Sequence, residues 1–528
     1  MRLARHRGQD KVALLAIAAA GAVLVACGGG GGGSPAVAPP VTVTPPPPVN
    51  GPAWLGFGSN AQHTAVSQIA TQDLSRIRWR TPVDLAPQYS AQGYLLIHYG
   101  SPAITSANTV LVPVKRGTLG SYVVEAHAGA DGTLLWTMPS DWIVPAHRWS
   151  PSYNVTLTAG NRVYAPGSGG RVWYRDNADS ASSANQSTAF YGDSAYNANK
   201  SGYDATVFVN TPITADSAGN IYFGFSALAG APGGLKGGIA RISANGTGSW
   251  VAATTLTQDS DINKAAMNSA PALSADEKTV YVAVNGDSGA KGYLLALDTS
   301  TLALKAKALL VDPQSKAAAM VSDDSTASPT IGPDGDVFFG VLETTYAAHN
   351  ARGWLLHFDA NLAQSKTPGS FGWDDTASIV PVAMVPGYTG SSKYLITTKY
   401  NNYGRAGSGD SRNKVALLDP NATQADTITP SIAVMKEVQT VLGVTPDPTY
   451  PGGVVEWCIN TAAVDPFTKS ILANSEDGTL YRWDMATNKL TQSVKLTSGL
   501  GESYTPTAIG ADGTVYAINN AVLFAVGK

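Results

Sequence analysis

Two cysteines and seven histidines in 528 residues give little from which to build a cysteine–histidine metal centre. Charged residues make up only 14% of the chain, and neither sign dominates. No Gly-x-Ser-x-Gly elbow and no zinc-type histidine spacing occurs, so hydrolase chemistry has no motif to stand on. The longest apolar run, Val12 to Val25, falls short of the roughly 20 residues a membrane-spanning helix needs. What the chain has instead is glycine, 55 residues of it, together with abundant Thr, Ser and Tyr, the composition of an all-β exported protein.

The front end reads as an export signal. Arg2, Arg5, Arg7 and Lys11 form a basic region ahead of the apolar run. That run ends in Leu24-Val25-Ala26-Cys27, which resembles the lipobox of bacterial lipoproteins. The resemblance implies cleavage before Cys27 and lipidation of its thiol. Gly28 to Gly33 and the Pro-rich stretch to Pro52 cannot bury enough apolar surface to fold, and read as a tether. Gly28 follows the cysteine in place of an Asp retention signal, so the expected address is the outer membrane, with lipid as the anchor's partner. The expected organisation is signal peptide 1–26, tether 27–53 and body 54–528.

Removing residues 1–26 takes away four basic residues and Asp10, leaving 31 Lys+Arg against 37 Asp+Glu. A nucleic-acid partner is therefore not expected, since phosphate binding needs a basic footprint. With Cys27 lipidated, Cys458 stands alone. No intrachain disulfide or covalently attached haem can form, and Cys458 reads as a small buried hydrophobe rather than a nucleophile.

A repeat decides the fold. A short apolar strand, often opened by Pro, leads through an Asp/Gly-rich turn into a strand containing Tyr or Phe. Pro212-Ile-Thr-Ala-Asp-Ser-Ala-Gly-Asn-Ile-Tyr222 and Pro506-Thr-Ala-Ile-Gly-Ala-Asp-Gly-Thr-Val-Tyr516 are the clearest copies. Starts fall at 102, 154, 212, 271, 329, 381, 462 and 506, the long interval after 381 being assigned to loops at Asn421–Pro430 and Thr445–Gly453. Third strands recur too, each ending in Asp: Leu294 to Asp298, Leu355 to Asp359, Val415 to Asp419 and Leu480 to Asp484. A period near 50–60 residues without a convincing amphipathic helix predicts an all-β, closed β-propeller of about eight four-stranded blades, with seven as the alternative. The chain stops on a third strand, Val522 to Val526, and opens on a strand without a blade, Arg76 to Arg80. Pairing the two closes the ring and hides both edges, which predicts a monomeric body.

The pattern resembles the PQQ-like propeller repeat of quinoprotein alcohol dehydrogenases and of the propeller lipoprotein of the outer-membrane barrel-assembly machinery. Ala126-His-Ala-Gly-Ala-Asp-Gly132-Thr-Leu-Leu-Trp136 keeps Ala126, Gly132 and Trp136 of that family's docking motif but has Ala128 and Asp131 where it has Asp and Thr. Ala296 to Thr301 keeps only the other half. Asn60 to His63 and Leu74 to Trp79 resemble the opening of such propellers. The resemblance implies the fold over residues 54–528. It also raises PQQ and calcium as cofactors, with an Asp as base and a calcium held by Glu, Asn and Asp.

In a propeller, the link from one blade's outer strand to the next blade's inner strand crosses one face toward the axis. These links carry His98 and Tyr99; His147, Arg148 and Trp149; Tyr203 and Asp204; Asn263 and Asn268. The second half adds Asp323 and Asp324; Asp374 and Asp375; Glu456 and Trp457; Glu502 and Tyr504. Together with Lys264 they predict an acidic, aromatic-lined mouth, the default place for a ligand. Asp374, Asp375 and Glu456 are the residues suited to a metal such as calcium. Two readings stay open at this point: a non-catalytic binding or scaffold module for a protein, glycan or cationic ligand, and a PQQ/calcium-dependent dehydrogenase.

Overall fold

The computed structural model describes residues 49–90, 95–118, 120–457, 459–498 and 506–528. Cys27, Cys458, Glu502 and Tyr504 lie outside these residues, as do the expected signal peptide and nearly all of the expected tether. Eight antiparallel sheets form the body. Their innermost strands are Ala103–Ile104, Thr156–Leu157, Thr214–Ala215, Ala272–Leu273, Thr330–Ile331, Ser378–Pro381, Ala463–Asp465 and Ala508–Ile509, which define blades 1 to 8 in order. Seven of the eight sequence starts lie one or two residues ahead of these strands. The sixth does not: blade 6 begins at Ser378, and Pro381 ends its inner strand rather than opening it.

The opening residue of several inner strands explains their short, small-residue character. The hydroxyls of Thr156, Thr214, Thr330 and Ser378 donate to the carbonyls of Ile213, Pro271, Ala377 and Ala462, each in the following blade. Only a short polar side chain can both fit near the axis and tie neighbouring blades together. Three of the four third strands end where their sequences predict: Asp298, Asp359 and Asp484 stand at or just past the strand end and each accept a backbone N–H of the turn that follows. Asp419 does not end its strand, which runs on through it to Ala425; it accepts from Asn421 N within the strand.

Ring closure pairs Arg76–Pro82 antiparallel with Val522–Gly527, from Arg76 opposite Gly527 to Pro82 opposite Val522. Trp79 pins the seam. Its indole N–H donates to Gly129 O at 3.0 Å, and a Cβ on Gly132 would come within 2.7 Å of the ring. Gly132 also has φ +77°, so glycine is required there twice over.

Three features depart from the four-stranded expectation. Short helices occur among the described residues at Asp193–Ala198, Lys200–Thr206 and Ala253–Thr257, in or beside links. Blade 5 has three strands, Thr330–Ile331, Val337–Val341 and Trp354–Phe358, with only an isolated bridge from Leu355 to Gly369 in place of a fourth. The outer hairpin of blade 6, Lys414–Ala425 with Ala433–Leu442, leans over that gap. Its Met435 N–H donates to Pro368 O at 2.8 Å, and Val434 packs into the core of blades 4 and 5. Residues 421–425 are therefore mostly strand after a bulge, not the loop the spacing predicts. Asp426 at the hairpin tip accepts from the Ser370 hydroxyl and lies 3.3 Å from His349 Nε2, a buried clamp onto blade 5.

The inner strands of a propeller leave a free edge toward the axis, and here the N-terminal segment covers it. Trp54 bridges Ile104 in blade 1, and Leu55 O accepts from Leu157 N in blade 2. Ala61, Gln62, Thr64 and Ala65 carbonyls then accept from Leu273, Ile331, Ile379 and Val464 at 2.7–3.0 Å. These partners belong to blades 4 to 7 in order, so the segment circles inside the ring. All six contacts fall past the start of each inner strand, at the end away from the links. One end of the axis is thus filled by backbone, and His63 is buried there against Pro329 O at 2.8 Å.

Candidate functional site

Every link enters its inner strand at the same end, so side chains far apart in sequence meet over the axis. Arg148 Nη1, leading into blade 2, lies 3.4 Å from Asp324 Oδ2, leading into blade 5. Ser152 N donates to Asn268 Oδ1 at 2.9 Å, joining blades 2 and 4. Asn460 of blade 7 donates to Thr326 O of blade 5 at 3.1 Å. The mouth is narrow enough for side chains to bridge it.

Its acids are largely matched. Asp323 Oδ2 accepts from Lys264 Nζ at 2.8 Å, and its Oδ1 accepts from Asn285 Nδ2 at 2.9 Å and Met267 N at 3.2 Å. Asp374 Oδ1 accepts from Thr326 N at 2.8 Å and Thr326 Oγ1 at 2.6 Å, while its Oδ2 lies 3.7 Å from Lys399 Nζ. Asp375 accepts from the Thr398 hydroxyl. Burial pushes the Asp375 carboxyl up to about 7, against the opposing pull of Lys399 and Thr398. Burial also raises Asp324, with Arg148 and His98 pulling the other way. His98 is buried and stacked on Trp149 at 5.4 Å between centroids. Burial lowers its proton affinity, and Asp374 and Asp324 oppose that effect.

The structure brings His98, Arg148, Trp149, Asn268, Asp323, Asp324, Asp374 and Asp375 into this neighbourhood and leaves others outside it. His147 is exposed and turns back on its own link, with Nδ1 2.7 Å from Pro145 O. Asp204 accepts from Tyr196 and Lys200 on its short helices, and Tyr203 packs between blades 2 and 3. Asn263 donates to Asp287 at 3.2 Å. The Trp457 ring packs against Tyr481 in the core of blades 6 and 7, and its backbone pairs with Asn401. Glu456 O accepts from Glu476 N at 3.3 Å.

Asp374, Asp375 and Glu456 do not assemble a metal centre. Among the described residues no three His, Cys, Asp or Glu side chains converge on one point. The reason is local: Thr326, Thr398 and Lys399 already supply donors or positive charge to the two aspartates. Lys399 is the residue a reading of the links overlooks, because it lies within a second strand, Tyr394–Tyr400. A lysine with 1% exposure in a strand buried along its length is the signal that could have found it.

Beside the Asp323–Asp324 link lies a small cavity of about 10 Å³, room for one water. Ser322 and Ser325, which flank the two aspartates, line it with Ser269, Met267, Met320 and Trp373. The Ser269 hydroxyl is buried and has no hydrogen-bond partner.

No protein-family model matches the chain, and no curated protein sequence does. Solved structures do. A europium-containing methanol dehydrogenase is similar over 88% of this chain and 89% of its own, with a TM-score of 0.53 at 12% identity. The quinohemoprotein alcohol dehydrogenase from Comamonas testosteroni is similar over 90% of this chain and 81% of its own, with a TM-score of 0.53 at 13% identity. At such identities the likeness is one of fold, and the fold is that of a PQQ-like β-propeller.

Proposed function

We propose that this chain is a binding module that takes a small ligand at the axial mouth, carried on an outer-membrane lipid anchor. The observation that carries the reading is the asymmetry of the axis. Residues 54–67 fill one end with backbone. The other end gathers Trp149, His98 and Asp324, the last two of which have proton affinities displaced by burial. A site open at one end only suits capture of a ligand, not passage through the ring.

A second reading, a PQQ-dependent dehydrogenase, is favoured by the whole-chain likeness to two alcohol-oxidising enzymes and by Asp375, whose carboxyl near 7 suits a general base. The donor set argues against the cofactor. PQQ carries three carboxylates, and the described mouth offers four aspartates whose neighbouring cations are Lys264, Lys399 and Arg148. Calcium would need six to eight oxygens, and the carboxylates available already hold other partners. The deciding experiment is titration of the purified body with PQQ and calcium, followed by gel filtration. Retained quinone absorbance and dye reduction with an alcohol would establish the dehydrogenase and end the binding-module reading. No retention, with Trp149→Ala abolishing capture of other small ligands, supports the module.

A further inference from the structure

The base turns join inner to second strands at the end of the axis away from the links, and they can be compared within one chain. Short turns of this kind carry Gly160, Asp276, Asp334 and Asp512 at or near their tips. Blade 7 carries Pro466-Phe467-Thr468-Lys469 instead. Phe467 is the most exposed large hydrophobic among the described residues, at 61%. It is held there firmly. The buried Asp465 carboxylate accepts from Phe467 N at 2.9 Å, Thr468 N at 3.1 Å and Thr468 Oγ1 at 2.6 Å. An apolar ring fixed in water gains free energy when apolar surroundings take it up.

Cations surround the ring. Lys469 O accepts from Met485 N at 3.0 Å, which sets the two base turns of blade 7 side by side, and Lys489 stands opposite Asp484 at the second of them. Lys393 closes the base turn of blade 6, and Arg76 opens the closing strand at the base of blade 8, opposite Gly527. All four side chains are exposed. The acids of this edge are engaged elsewhere: Asp73 pairs with Lys528, Asp512 with Arg78, and Asp484 accepts from Thr487 in its own turn. In a chain with 38 acids against 35 bases, a basic edge is a local property. The front of the chain leaves on the same face. Gly51 N donates to Ser106 O in the base turn of blade 1, and a Cβ on Gly51 would meet Ala511 O, in the base turn of blade 8, at 1.9 Å. The exit is thus one blade away from Phe467, and a lipid carried on Cys27 would draw the base, not the mouth, toward a bilayer.

We propose that the base of blades 6 to 8 docks on an anionic bilayer. Phe467 enters the boundary between headgroups and acyl chains, and Lys469, Lys489, Lys393 and Arg76 meet lipid phosphates. The mouth then faces away from the membrane, open to ligands from the aqueous side. The inference rests on the lipid-anchored reading and adds the orientation of the body.

The probe is a vesicle of phosphatidylcholine and phosphatidylglycerol with brominated acyl chains, which quench nearby indoles, carrying the lipidated protein as cells process it. Phe467→Trp places an emitter at the base. Ser288→Trp places one at the mouth end, in the exposed loop between the second and third strands of blade 4. The emission added by Phe467→Trp should fall about twofold, and that added by Ser288→Trp should not change. Lys469→Glu with Lys489→Glu in the Phe467→Trp protein should restore the emission, as should high salt. Each variant's melting curve is recorded, so a folding defect is seen separately. Equal quenching at both positions, quenching at neither, or quenching that survives the charge reversal overturns the docking. The reading it rests on fails differently: the protein would not float with vesicles of phosphatidylcholine alone, and the docking would fall with it.

Discussion

Lys399 Nζ sits 3.7 Å from Asp374 Oδ2 with the two side chains 1% and 8% exposed. The lysine is the buried cation nearest Asp374, and it also opposes the burial that drives Asp375 toward its neutral form. Removing one partner of such a pair strands the other charge. Lys399→Met should therefore cost about 3–5 kcal/mol in denaturant unfolding. Adding Asp374→Asn to it should recover a large part of that loss. A double variant as unstable as the single one would show that Lys399 acts through packing instead.

Asp375 makes stability fall on the alkaline side. Its folded value near 7 stands above the unfolded value, so the folded state binds the extra proton. That contribution is fully present below about pH 4 and disappears as pH rises through about 7. Asp375→Asn, which keeps the neutral shape, should flatten the decline in melting temperature between about pH 4 and 7. An unchanged slope would place the titration elsewhere.

His63 works in the opposite direction. Burial lowers it to about 4, so protonation favours the unfolded chain and stability drops as pH falls from about 6.5 toward 4. Asn at this position keeps a donor for Pro329 O and tolerates the φ of +58° found there. His63→Asn should move the acid-unfolding midpoint to lower pH. Asp426 adds to acid lability at still lower pH. Burial alone would raise its carboxyl, but hydrogen bonds from His349, Ser370 and Thr429 N outweigh that and hold it below the usual range.

The seam of the ring is open to a mutational test. Trp79→Ala should cost about 3–5 kcal/mol, the range for a large buried aromatic. Gly132→Ala should cost about 1–3 kcal/mol, from the ring clash and the left-handed backbone. A chain beginning at residue 90 loses the closing strand and the axial segment together and should aggregate. A stable monomer from that truncation would mean the closure contributes little.

The anchor is tested by Cys27→Ser. Wild-type protein should fractionate with membranes and label with palmitate, and the variant should do neither. Label retained on the variant would rule out Cys27 as the modified residue.

Most of the architecture was legible because hairpin turns and strand pairing are local. Pro212, Pro271 and Pro329 precede inner strands within two residues, and Asp298, Asp359 and Asp484 each cap the turn after a third strand. Pro381 misleads because blade 6 uses Ser378 where blades 2, 3 and 5 use Thr, and a Ser without a preceding Pro gives a weaker signal. The mouth was half legible. Topology dictates that links converge, which brought Arg148 near Asp324, but it does not say which way a side chain turns. Trp457 turned into the core and His147 into its own loop. Lys399 escaped because it reaches the mouth from a second strand, and a second strand's apolar neighbours conceal it.

The segment lying within the ring also orders assembly. Residues 54–67 touch inner strands separated from them by up to about 400 positions, and Arg76–Pro82 waits for the last strand of all. The chain's earliest part can find its final place only after its latest part exists. Contacts of such sequence separation make folding slow and leave strand edges open meanwhile. However the chain is made, its closing strand stays unpaired until the last strand of the sequence is in place.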